Sequence, residues 1–404
     1  MDLEKIRADF PTLAVQVHGK PLVYFDNGAT AQKPSVVIEA IDTYYREQNS
    51  NVHRGVHYLS ATATELYEVT RHKVQRLLNA EKDHEVIITK GTTDAINLVA
   101  NGFASAILQP GDEVIISGME HHSNIVPWHM ATERCGATTK AIPVLDDGSL
   151  DQDAYAGLLS EKTKLVALVH VSNTLGTINP VKEMIAMAHE KGIPVLLDGA
   201  QAVPHMKVDV RDLDVDFYTF SSHKVFGPTG VGILYGKESW LNKLPPYQGG
   251  GDMIERVTLE KTTYNELPHK FEAGTPNIAG VIGFGAAIDY INEIGYEAIG
   301  AHEEELLHYA TGKLKQIAGV RIIGEAANKA SVISFVVERV HPSDLGTVLD
   351  MRGIAVRTGH HCTQPLMDRF QIPATVRASF ALYNSKDEID IFIAALERSI
   401  KMFA

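Results

Sequence analysis

Apolar runs and amphipathic stretches alternate along the first two thirds of the chain. In chain order, the pairs are 85–89 with a helix from Thr93, 113–116 with a helix from Ile125 to Arg134, and 165–169 with a helix from Val181 to Lys191. Runs that are apolar throughout are typical of strands buried on both faces, and the spacing between them is typical of helices that cover a sheet. The pattern therefore predicts an α/β fold with a mostly parallel central sheet.

The pattern changes near Gly280, where a long and nearly unbroken helical stretch runs through Tyr290, Ile294 and Leu306. Shorter elements follow, with strands near 332–335 and 376–380 and a final helix over 386–402. We expect a large domain over residues 16–285 and a smaller α+β domain formed by residues 1–15 and 286–404.

Composition and charge narrow the class of protein. The 404 residues are 45% hydrophobic, which is enough for one large core and a second, smaller one. The net charge of -13 argues against nucleic acid or an anionic membrane as a partner. No apolar run approaches the roughly 20 residues of a membrane span, and the start lacks the apolar region of a signal peptide, so a cytoplasmic location is expected.

Cysteine usage agrees with a reducing compartment. Cys135 and Cys362 are the two cysteines of the chain, which excludes a disulfide framework and a zinc ribbon. Cys135 lies at a predicted helix end before Gly136 and is interpreted as an inert, buried thiol.

Two predicted strands end on groups of complementary chemistry. The run 196–198 ends on Asp198, and the run 217–224 ends on Lys224. The carboxyl ends of strands in such a sheet face the crevice where ligands bind. A lysine that holds an aldehyde as a Schiff base, with a carboxylate facing the pyridine nitrogen, is the pair that pyridoxal 5'-phosphate requires.

Each of these residues also has an ordinary interpretation. An Asp after a strand often caps a helix, and a Lys is usually a solvated surface charge. The glycine-rich continuation 227–230 leaves Lys224 no amphipathic helix face to occupy. The two residues together therefore favour the cofactor.

A phosphate site is predicted at residues 89–97, which run from a strand through Gly91 into a helix. Free backbone N–H groups and the helix dipole favour an anion there, and the hydroxyl of Thr92 or Thr93 adds direct hydrogen bonds. An ordinary strand-to-helix turn with a Thr cap explains the same residues. Ser221 and His223 offer a second anchor.

His121 follows the strand that ends at Ile116, so its imidazole is expected at the same edge of the sheet. A flat imidazole there can stack on a pyridine ring and move protons near neutral pH. The adjacent pair His360 and His361 raises the alternative of a metal site. No Asp or Glu completes a ligand pair at helical spacing, so no metal is predicted.

Cys362 lies in a predicted loop with Arg357, Gly359 and two histidines, ahead of a helix beginning near Leu366. These groups favour a thiolate, which makes Cys362 the candidate nucleophile. Arg377 lies on an otherwise apolar strand. It is interpreted either as half of a partly buried ion pair or as a clamp for an amino-acid carboxylate.

The chain resembles the group II cysteine desulfurases, which are SufS-like enzymes also called cysteine desulfurase/selenocysteine lyases, within the class V aminotransferase type of pyridoxal-phosphate enzymes. The resemblance runs nearly end to end. It is carried by residues 26–30, 51–55, 91–93, 119–122, 170–173, 198–201, 221–224, 271–276 and 357–362. It implies the pyridoxal-phosphate-dependent transferase fold of type I.

The resemblance also implies roles for residues. It implies that Lys224 binds the cofactor's aldehyde, that Asp198 contacts its pyridine nitrogen and Gln201 its phenolic oxygen, and that His121 stacks on its ring. It implies that the phosphate is held by Thr92, Thr93, Ser221 and His223, with Thr275 contributed by the second subunit of a homodimer. The implied substrate site consists of Asn173, Arg377, Arg357 and His53, and the implied sulfur acceptor is Cys362. Asn27, Asp94 and Thr363 depart from the family pattern, where serine, glutamate and alanine are common. Asp94 shortens a possible contact between subunits.

The implied reaction converts L-cysteine to L-alanine and leaves a persulfide on Cys362. His121 is expected to move the thiol proton, and an acceptor protein of the Suf system is expected to take the sulfur for iron–sulfur cluster assembly. Selenocysteine lyase activity on L-selenocysteine is one alternative. A class V aminotransferase or kynureninase-like enzyme, which needs no thiol, is another, and a scaffold without activity is a third. Residues 249–264 are interpreted as an inserted hairpin that could cover the site.

Overall fold

The computed structural model describes residues 1–403. Its helices are α1 (Leu3–Ala8), α2 (Ser35–Thr43), α3 (Tyr58–Leu78), α4 (Thr92–Ala106), α5 (Val126–Cys135), α6 (Gln152–Leu158), α7 (Val181–His189), α8 (Glu238–Lys243), α9 (Ile278–Ile294), α10 (Tyr296–Leu314), α11 (Pro342–Asp350), α12 (Gln364–Phe370) and α13 (Lys386–Phe403). Its strands are β1 (Gln16–Val17), β2 (Lys20–Pro21), β3 (Val23–Tyr24), β4 (Val86–Thr89), β5 (Glu113–Ser117), β6 (Thr138–Ile142), β7 (Thr163–Val169), β8 (Val195–Asp198), β9 (Phe217–Ser221), β10 (Gly232–Gly236), β11 (Ile254–Val257), β12 (Thr262–Tyr264), β13 (Val320–Ile323), β14 (Val332–Val337), β15 (Ile354–Ala355), β16 (Arg357–Gly359) and β17 (Thr375–Ser379).

A seven-stranded sheet forms the centre of the larger unit, in the order β4-β10-β9-β8-β7-β5-β6. Strands β6, β5, β7, β8 and β9 pair in parallel, and β10 is antiparallel to both of its neighbours. The α/β fold with a mostly parallel sheet is therefore confirmed.

Burial explains why these strands are apolar throughout. All residues of β5, β8 and β9 are buried, because helices cover both faces of the sheet. Asp198 is the last residue of β8 and Ser221 is the last residue of β9. The strand ends thus bring polar groups to one edge of an otherwise apolar layer.

The smaller unit contains an antiparallel sheet in the order β13-β14-β17-β16, and β14 and β17 lie where the sequence predicts strands. Its core includes Phe335, Phe380 and Phe392. The N-terminal strand β3 pairs in parallel with β15, so that Val23 and Phe25 join the same core. The boundaries proposed at residues 15 and 285 stay a prediction.

The helical stretch after Gly280 is nearly unbroken, as expected, with an interruption of one residue. Helix α9 ends at Ile294 and α10 begins at Tyr296, with Gly295 between them at a φ of 86°. Glycine adopts this left-handed backbone without steric cost, so the chain can turn at Gly295. The apolar residues on both sides of Gly295 have helical spacing and do not mark the turn.

None of the helices within residues 1–403 combines the length and the apolar character needed to cross a bilayer.

Candidate active site

A cavity of about 230 Å³ opens at the edge where the central strands end, and residues of both units line it. Twelve of the predicted site residues are among its lining: Thr92, Thr93, His121, Asn173, Asp198, Gln201, Ser221, His223, Lys224, Arg357, Cys362 and Arg377. These positions span 285 residues of sequence, from Thr92 to Arg377, so only the folded chain brings them together.

Lys224 closes a short 3₁₀ turn, Ser222–Lys224, directly after β9. Burial lowers the pKa of its amine to about 8, although Asp198 opposes that shift. Burial also raises the pKa of Asp198, against the influence of the Ala200 N–H and of Lys224. Asp198 is the one carboxylate among the described residues that line the cavity. With Lys224, Arg357 and Arg377 also lining it, the cavity suits a ligand with anionic groups.

The amino end of α4 faces the cavity, with Gly91 as its cap residue. The Thr92 N–H donates to Ser221 Oγ at 2.8 Å, and the two hydroxyl oxygens lie 2.9 Å apart. Thr93 is exposed at this helix end, where backbone N–H groups have no partner within the helix. Hydroxyl groups and helix N–H groups thus converge in the pattern that binds phosphate.

His223 stands beside this helix end. Its Nδ1 lies 3.2 Å from Thr30 Oγ1, and burial, followed by the nearby Lys224, lowers its pKa to about 4. A neutral imidazole can donate one hydrogen bond to an anion while its other nitrogen accepts one.

His121 precedes the 3₁₀ turn His122–Asn124 at the same edge. Its Nδ1 accepts the Ser123 N–H at 3.1 Å and lies 2.8 Å from Ser123 Oγ. Burial, with Lys224 as the next cause, lowers the pKa of His121 to about 3. The ring is therefore neutral near pH 7.

Arg377 is fully enclosed and has partners on two sides. Its Nη1 donates to the Asn173 carbonyl at 2.9 Å, and its Nη2 lies 3.2 Å from Asp26 Oδ1. Its Nε and the side-chain Oδ1 of Asn173 are buried without a hydrogen-bond partner. Both interpretations of Arg377 thus have a counterpart in the structure, since the ion pair with Asp26 exists and the guanidinium also lines the cavity.

Cys362 reaches the cavity from the loop between β16 and α12. His361 and Cys362 adopt left-handed backbone angles, with φ of 50° and 58°. Cys135 lies elsewhere, at the end of α5, where its Sγ donates to the Ala104 carbonyl at 3.0 Å.

Two predicted residues do not line the cavity of the single chain. His53 is exposed and lies 2.9 Å from Glu68 Oε1, and Thr275 is exposed beside Pro276. The role of Thr275 was predicted for a second subunit, so its position outside this cavity is compatible with that prediction.

His361 lines the cavity although the sequence analysis did not name it as a cofactor or substrate ligand. Its Nε2 lies 2.7 Å from Thr375 Oγ1, and its Nδ1 is buried without a partner. The doubled histidine before Cys362 was the available signal, and it was weighed as a metal ligand and as a group that favours a thiolate at Cys362. Within residues 1–403, no group of three or more His, Cys, Asp or Glu side chains could hold a metal ion.

These groups fit pyridoxal phosphate. A buried amine with a lowered pKa, a buried carboxylate and a helix amino end lined by hydroxyl groups face one cavity. The unpartnered polar atoms of Asn173, His361 and Arg377 lie among the same lining residues. Buried polar atoms are normally satisfied, so their presence here indicates a site built for a ligand.

Comparison with known proteins agrees with this chemistry. Residues 23–392 match the family described as aminotransferase class-V. The chain is 51% identical to a probable cysteine desulfurase of Halalkalibacterium halodurans, over 100% of this chain and 99% of that protein. It is also 51% identical to a cysteine desulfurase of Synechococcus elongatus, over 98% of this chain, and it spans 63% of that longer protein.

Solved structures show the same similarity. The cysteine desulfurase CsdA of Escherichia coli, in an S-sulfonic acid form, has a TM-score of 0.93 and 39% identity, with 100% of both chains covered. A mutant of C-DES with glycine covalently linked to its PLP cofactor has a TM-score of 0.84 and 25% identity, covering 97% of this chain and 98% of that one.

The chain therefore belongs to the class-V aminotransferases, whose members carry pyridoxal phosphate on an α/β fold. Within that class it belongs to the cysteine desulfurase family. The predicted family, fold, cofactor and class of enzyme are thereby confirmed. The roles of individual residues stay predictions.

Proposed function

We propose that this chain converts L-cysteine to L-alanine and transfers the sulfur to Cys362 as a persulfide. One observation carries the proposal: Lys224 of the larger unit and Cys362 of the smaller unit line the same cavity. A class V enzyme that acts without a thiol has no need for a cysteine at this place.

The cavity residues would hold the cofactor as follows. Lys224 would bind its aldehyde carbon, Asp198 its pyridine nitrogen and Gln201 its phenolic oxygen, while His121 would stack on its ring. Thr92, Thr93, Ser221 and His223 would hold its phosphate. When bound, pyridoxal phosphate supplies an aldehyde that takes up the substrate amine and a protonated ring that accepts electrons from the substrate Cα.

The substrate carboxylate would bind at Arg377 and Asn173. Arg377 Nε has no hydrogen-bond partner, and Asn173 Nδ2 donates to the His361 carbonyl at 2.8 Å and to Thr174 Oγ1 at 3.4 Å. Arg357, which is half exposed and lies 3.4 Å from Asp26 Oδ2, adds positive charge at the entrance. A carboxylate held on this side would direct the substrate thiol toward the Cys362 loop.

Proton transfers would be made by two groups. The Lys224 amine would take the proton from the substrate Cα, a task suited to its lowered pKa of about 8. His121, whose ring is neutral near pH 7, would take the substrate thiol proton.

The sulfur transfer balances without an external oxidant. Cys362 Sγ forms a bond to the substrate sulfur while the substrate Cβ–S bond breaks, and the electron pair of that bond goes to carbon. Cβ then receives a proton. L-cysteine and the Cys362 thiol become L-alanine and the Cys362 persulfide.

We further propose a cytoplasmic homodimer that hands the sulfur to an acceptor protein of the Suf system for iron–sulfur cluster assembly. Several large apolar side chains are exposed in the single chain, among them Val56, Tyr58 and Leu259. We propose that a second subunit covers these side chains. The exposed hairpin of β11 and β12, which contains Leu259 in its turn, contributes no residue to the cavity of its own chain.

The experiment is incubation of the cofactor-loaded enzyme with L-cysteine, followed by assay of alanine and mass spectrometry of the peptide that contains Cys362. We expect one additional sulfur atom on that peptide. Cys362→Ala should abolish persulfide and alanine formation, and Cys135→Ala, the matched control at the other cysteine, should leave both unchanged.

Undiminished conversion of cysteine to alanine by Cys362→Ala, with a physiological acceptor present, would contradict the proposal and favour a thiol-independent class V reaction. Loss of cysteine turnover with retained activity on L-selenocysteine would identify a selenocysteine lyase that releases selenium without thiol attack.

A further inference from the structure

The loop that carries Cys362 has a backbone that needs support. His361 and Cys362 are consecutive non-glycine residues with left-handed φ, and Gly359 before them has a φ of 119°. Residues with side chains avoid this conformation because their Cβ atoms crowd the backbone, and they keep it only where surrounding contacts impose it. The source of those contacts decides where the Cys362 sulfur points.

Part of the support comes from the loop itself. The Thr363 N–H and hydroxyl both donate to the His360 carbonyl, at 2.8 and 2.9 Å, and the Cys362 N–H donates to His360 Nδ1 at 3.1 Å. These bonds close a turn but do not attach it to the larger unit.

Four hydrogen bonds attach the loop to the larger unit. Asn173 donates to the His361 carbonyl at 2.8 Å, and the hydroxyls of Thr174 and Thr363 lie 2.9 Å apart. The other two involve one residue: the His122 N–H donates to the Cys362 carbonyl at 2.7 Å, and His122 Nε2 accepts the Gln364 N–H at 3.2 Å.

His122 is therefore hydrogen-bonded both to Cys362 and to Gln364, two residues further along the chain. Its ring also lies against that of His360, with centroids 5.6 Å apart and planes at 36°. Because the Gln364 N–H donates to it, His122 Nε2 acts as an acceptor, and burial, followed by the neighbouring His360, lowers the pKa of the ring. His122 directly follows His121, the ring expected to stack on the cofactor, so one short turn serves both halves of the site.

We infer that His122 is a positioning residue for the sulfur transfer: its imidazole holds the Gln364 N–H, and thereby holds Cys362 in the left-handed backbone that directs its sulfur into the cavity. The inference rests on the proposed function. His122 does not line the cavity, so it acts through Cys362 and has no expected part in binding cofactor or substrate.

The test compares His122→Phe, which keeps a ring but has no acceptor, with His122→Gln, whose side-chain oxygen can reach the same N–H. His129→Phe, at an exposed histidine of α5, is the matched control. Each cofactor-loaded enzyme is mixed with L-cysteine, and two rates are measured: the absorbance change of the cofactor on substrate binding, and persulfide formation on Cys362 by quenched mass spectrometry. Hydrogen exchange of the segment containing Gln364 is measured without substrate.

We expect His122→Phe to slow persulfide formation on the order of tenfold or more, because small misplacements of a nucleophile reduce rates steeply. Its absorbance change should match that of the unaltered enzyme, and its 360–364 segment should exchange faster. His122→Gln should recover most of both properties, and His129→Phe should behave as the unaltered enzyme does.

An unaltered rate of persulfide formation in His122→Phe would overturn the inference. It would also be overturned if the absorbance change on substrate binding slowed as much as persulfide formation, because the substitution would then act on the cofactor through His121. If the unaltered enzyme formed no persulfide on Cys362, the proposed function would fail. The exchange measurement would then still report whether His122 holds the loop, so the two failures are distinguishable.

Discussion

The surroundings of single side chains alter their pKa values at this site, and Lys224 shows this most clearly. Its amine is buried beside only one carboxylate, Asp198, and two guanidinium groups of the cavity oppose its charge. A protonated amine in such a place costs free energy, whereas a neutral amine is ready to act as a nucleophile or base.

This environment predicts a pH dependence of stability for the cofactor-free protein. The pKa of Lys224 falls from 10.5 to about 8 on folding, so between those values the unfolded chain binds more protons and stability rises with pH. Below pH 8 Lys224 is protonated in both the folded and the unfolded chain, so the full free-energy cost of burying its charge is present there. Relative to Lys224→Met, the unaltered protein should gain about 3 kcal/mol of unfolding free energy between pH 8 and 10.5. Denaturant unfolding of both proteins across that range measures it, and a constant difference between them would show that the amine is not desolvated.

Arg377 carries a second prediction at this scale. Its guanidinium contacts Asp26 and the Asn173 carbonyl at once, and its Nε has no hydrogen-bond partner and is proposed to bind the substrate carboxylate. A lysine has one compact ammonium and cannot serve all three directions. Arg377→Lys should raise the KM for L-cysteine about tenfold or more, the loss expected for one charge-assisted hydrogen bond, without lowering cofactor content.

The measurement is alanine formation against L-cysteine concentration, with cofactor absorbance as the second readout. Arg369→Lys is the matched control, because Arg369 pairs with the exposed Asp146 and does not line the cavity. An unchanged KM in Arg377→Lys would mean that the substrate carboxylate binds elsewhere.

At the scale of elements, the phosphate site depends on how closely β10 approaches the turn before α4. A Cβ added to Gly232 would lie 2.3 Å from Gly91 Cα, a contact that requires backbone to move. Gly232 also pairs with Thr89 and Ser221 across the sheet. A larger residue there would displace the residues that are predicted to hold the cofactor phosphate.

Gly232→Ala should therefore destabilise the protein by about 1–3 kcal/mol, the usual cost of overpacking, and should reduce cofactor retention. Thermal unfolding and cofactor content after dialysis measure the two effects. Gly312→Ala, in α10 with open space around the new methyl group, should instead stabilise slightly, by about 1 kcal/mol at most. If Gly232→Ala and Gly312→Ala had the same thermal stability and cofactor content, the close approach of Gly232 to Gly91 would not be what the phosphate site depends on.

Elements also show the reach of sequence patterns. Strands β4, β5 and β7 and the helices α4, α5 and α7 that follow them were predictable, because burial on two faces makes a strand apolar and amphipathic spacing makes a helix recognisable. The break between α9 and α10 was not, because the apolar spacing continues across Gly295. The turn at that glycine depends on where α9 and α10 pack, and the pattern of neighbouring residues carries no information about that packing.

At the scale of the whole molecule, the open question is which chain supplies Thr275. The residue is exposed and does not line the cavity of its own chain. Its backbone segment is held by Glu272, which pairs with the buried Arg71. If a second subunit donates Thr275, a mixed dimer of a chain altered at Lys224 and a chain altered at Thr275 should regain activity.

The prediction is that a mixed dimer of Lys224→Ala and Thr275→Ala chains contains one complete site. It should regain roughly half of the activity per dimer, because Lys224 of one chain then meets Thr275 of the other. Co-expression with two different tags, purification of the mixed species and assay of alanine test this. Activity no higher than that of Thr275→Ala alone would place Thr275 in its own chain's site, and a monomer in sedimentation would exclude the shared site altogether.

Short-range sequence determined the strands, the helices that cover them and the residue types capable of holding pyridoxal phosphate, because these follow from burial and from the chemistry of neighbouring side chains. Tertiary structure alone decided that Cys362 shares a cavity with Lys224, that Arg377 pairs with Asp26 across 351 residues, and that His122 accepts the Gln364 N–H of the Cys362 loop. Those relations depend on how two separately packed units meet, and contacts between residues so distant in the chain leave no local pattern in it.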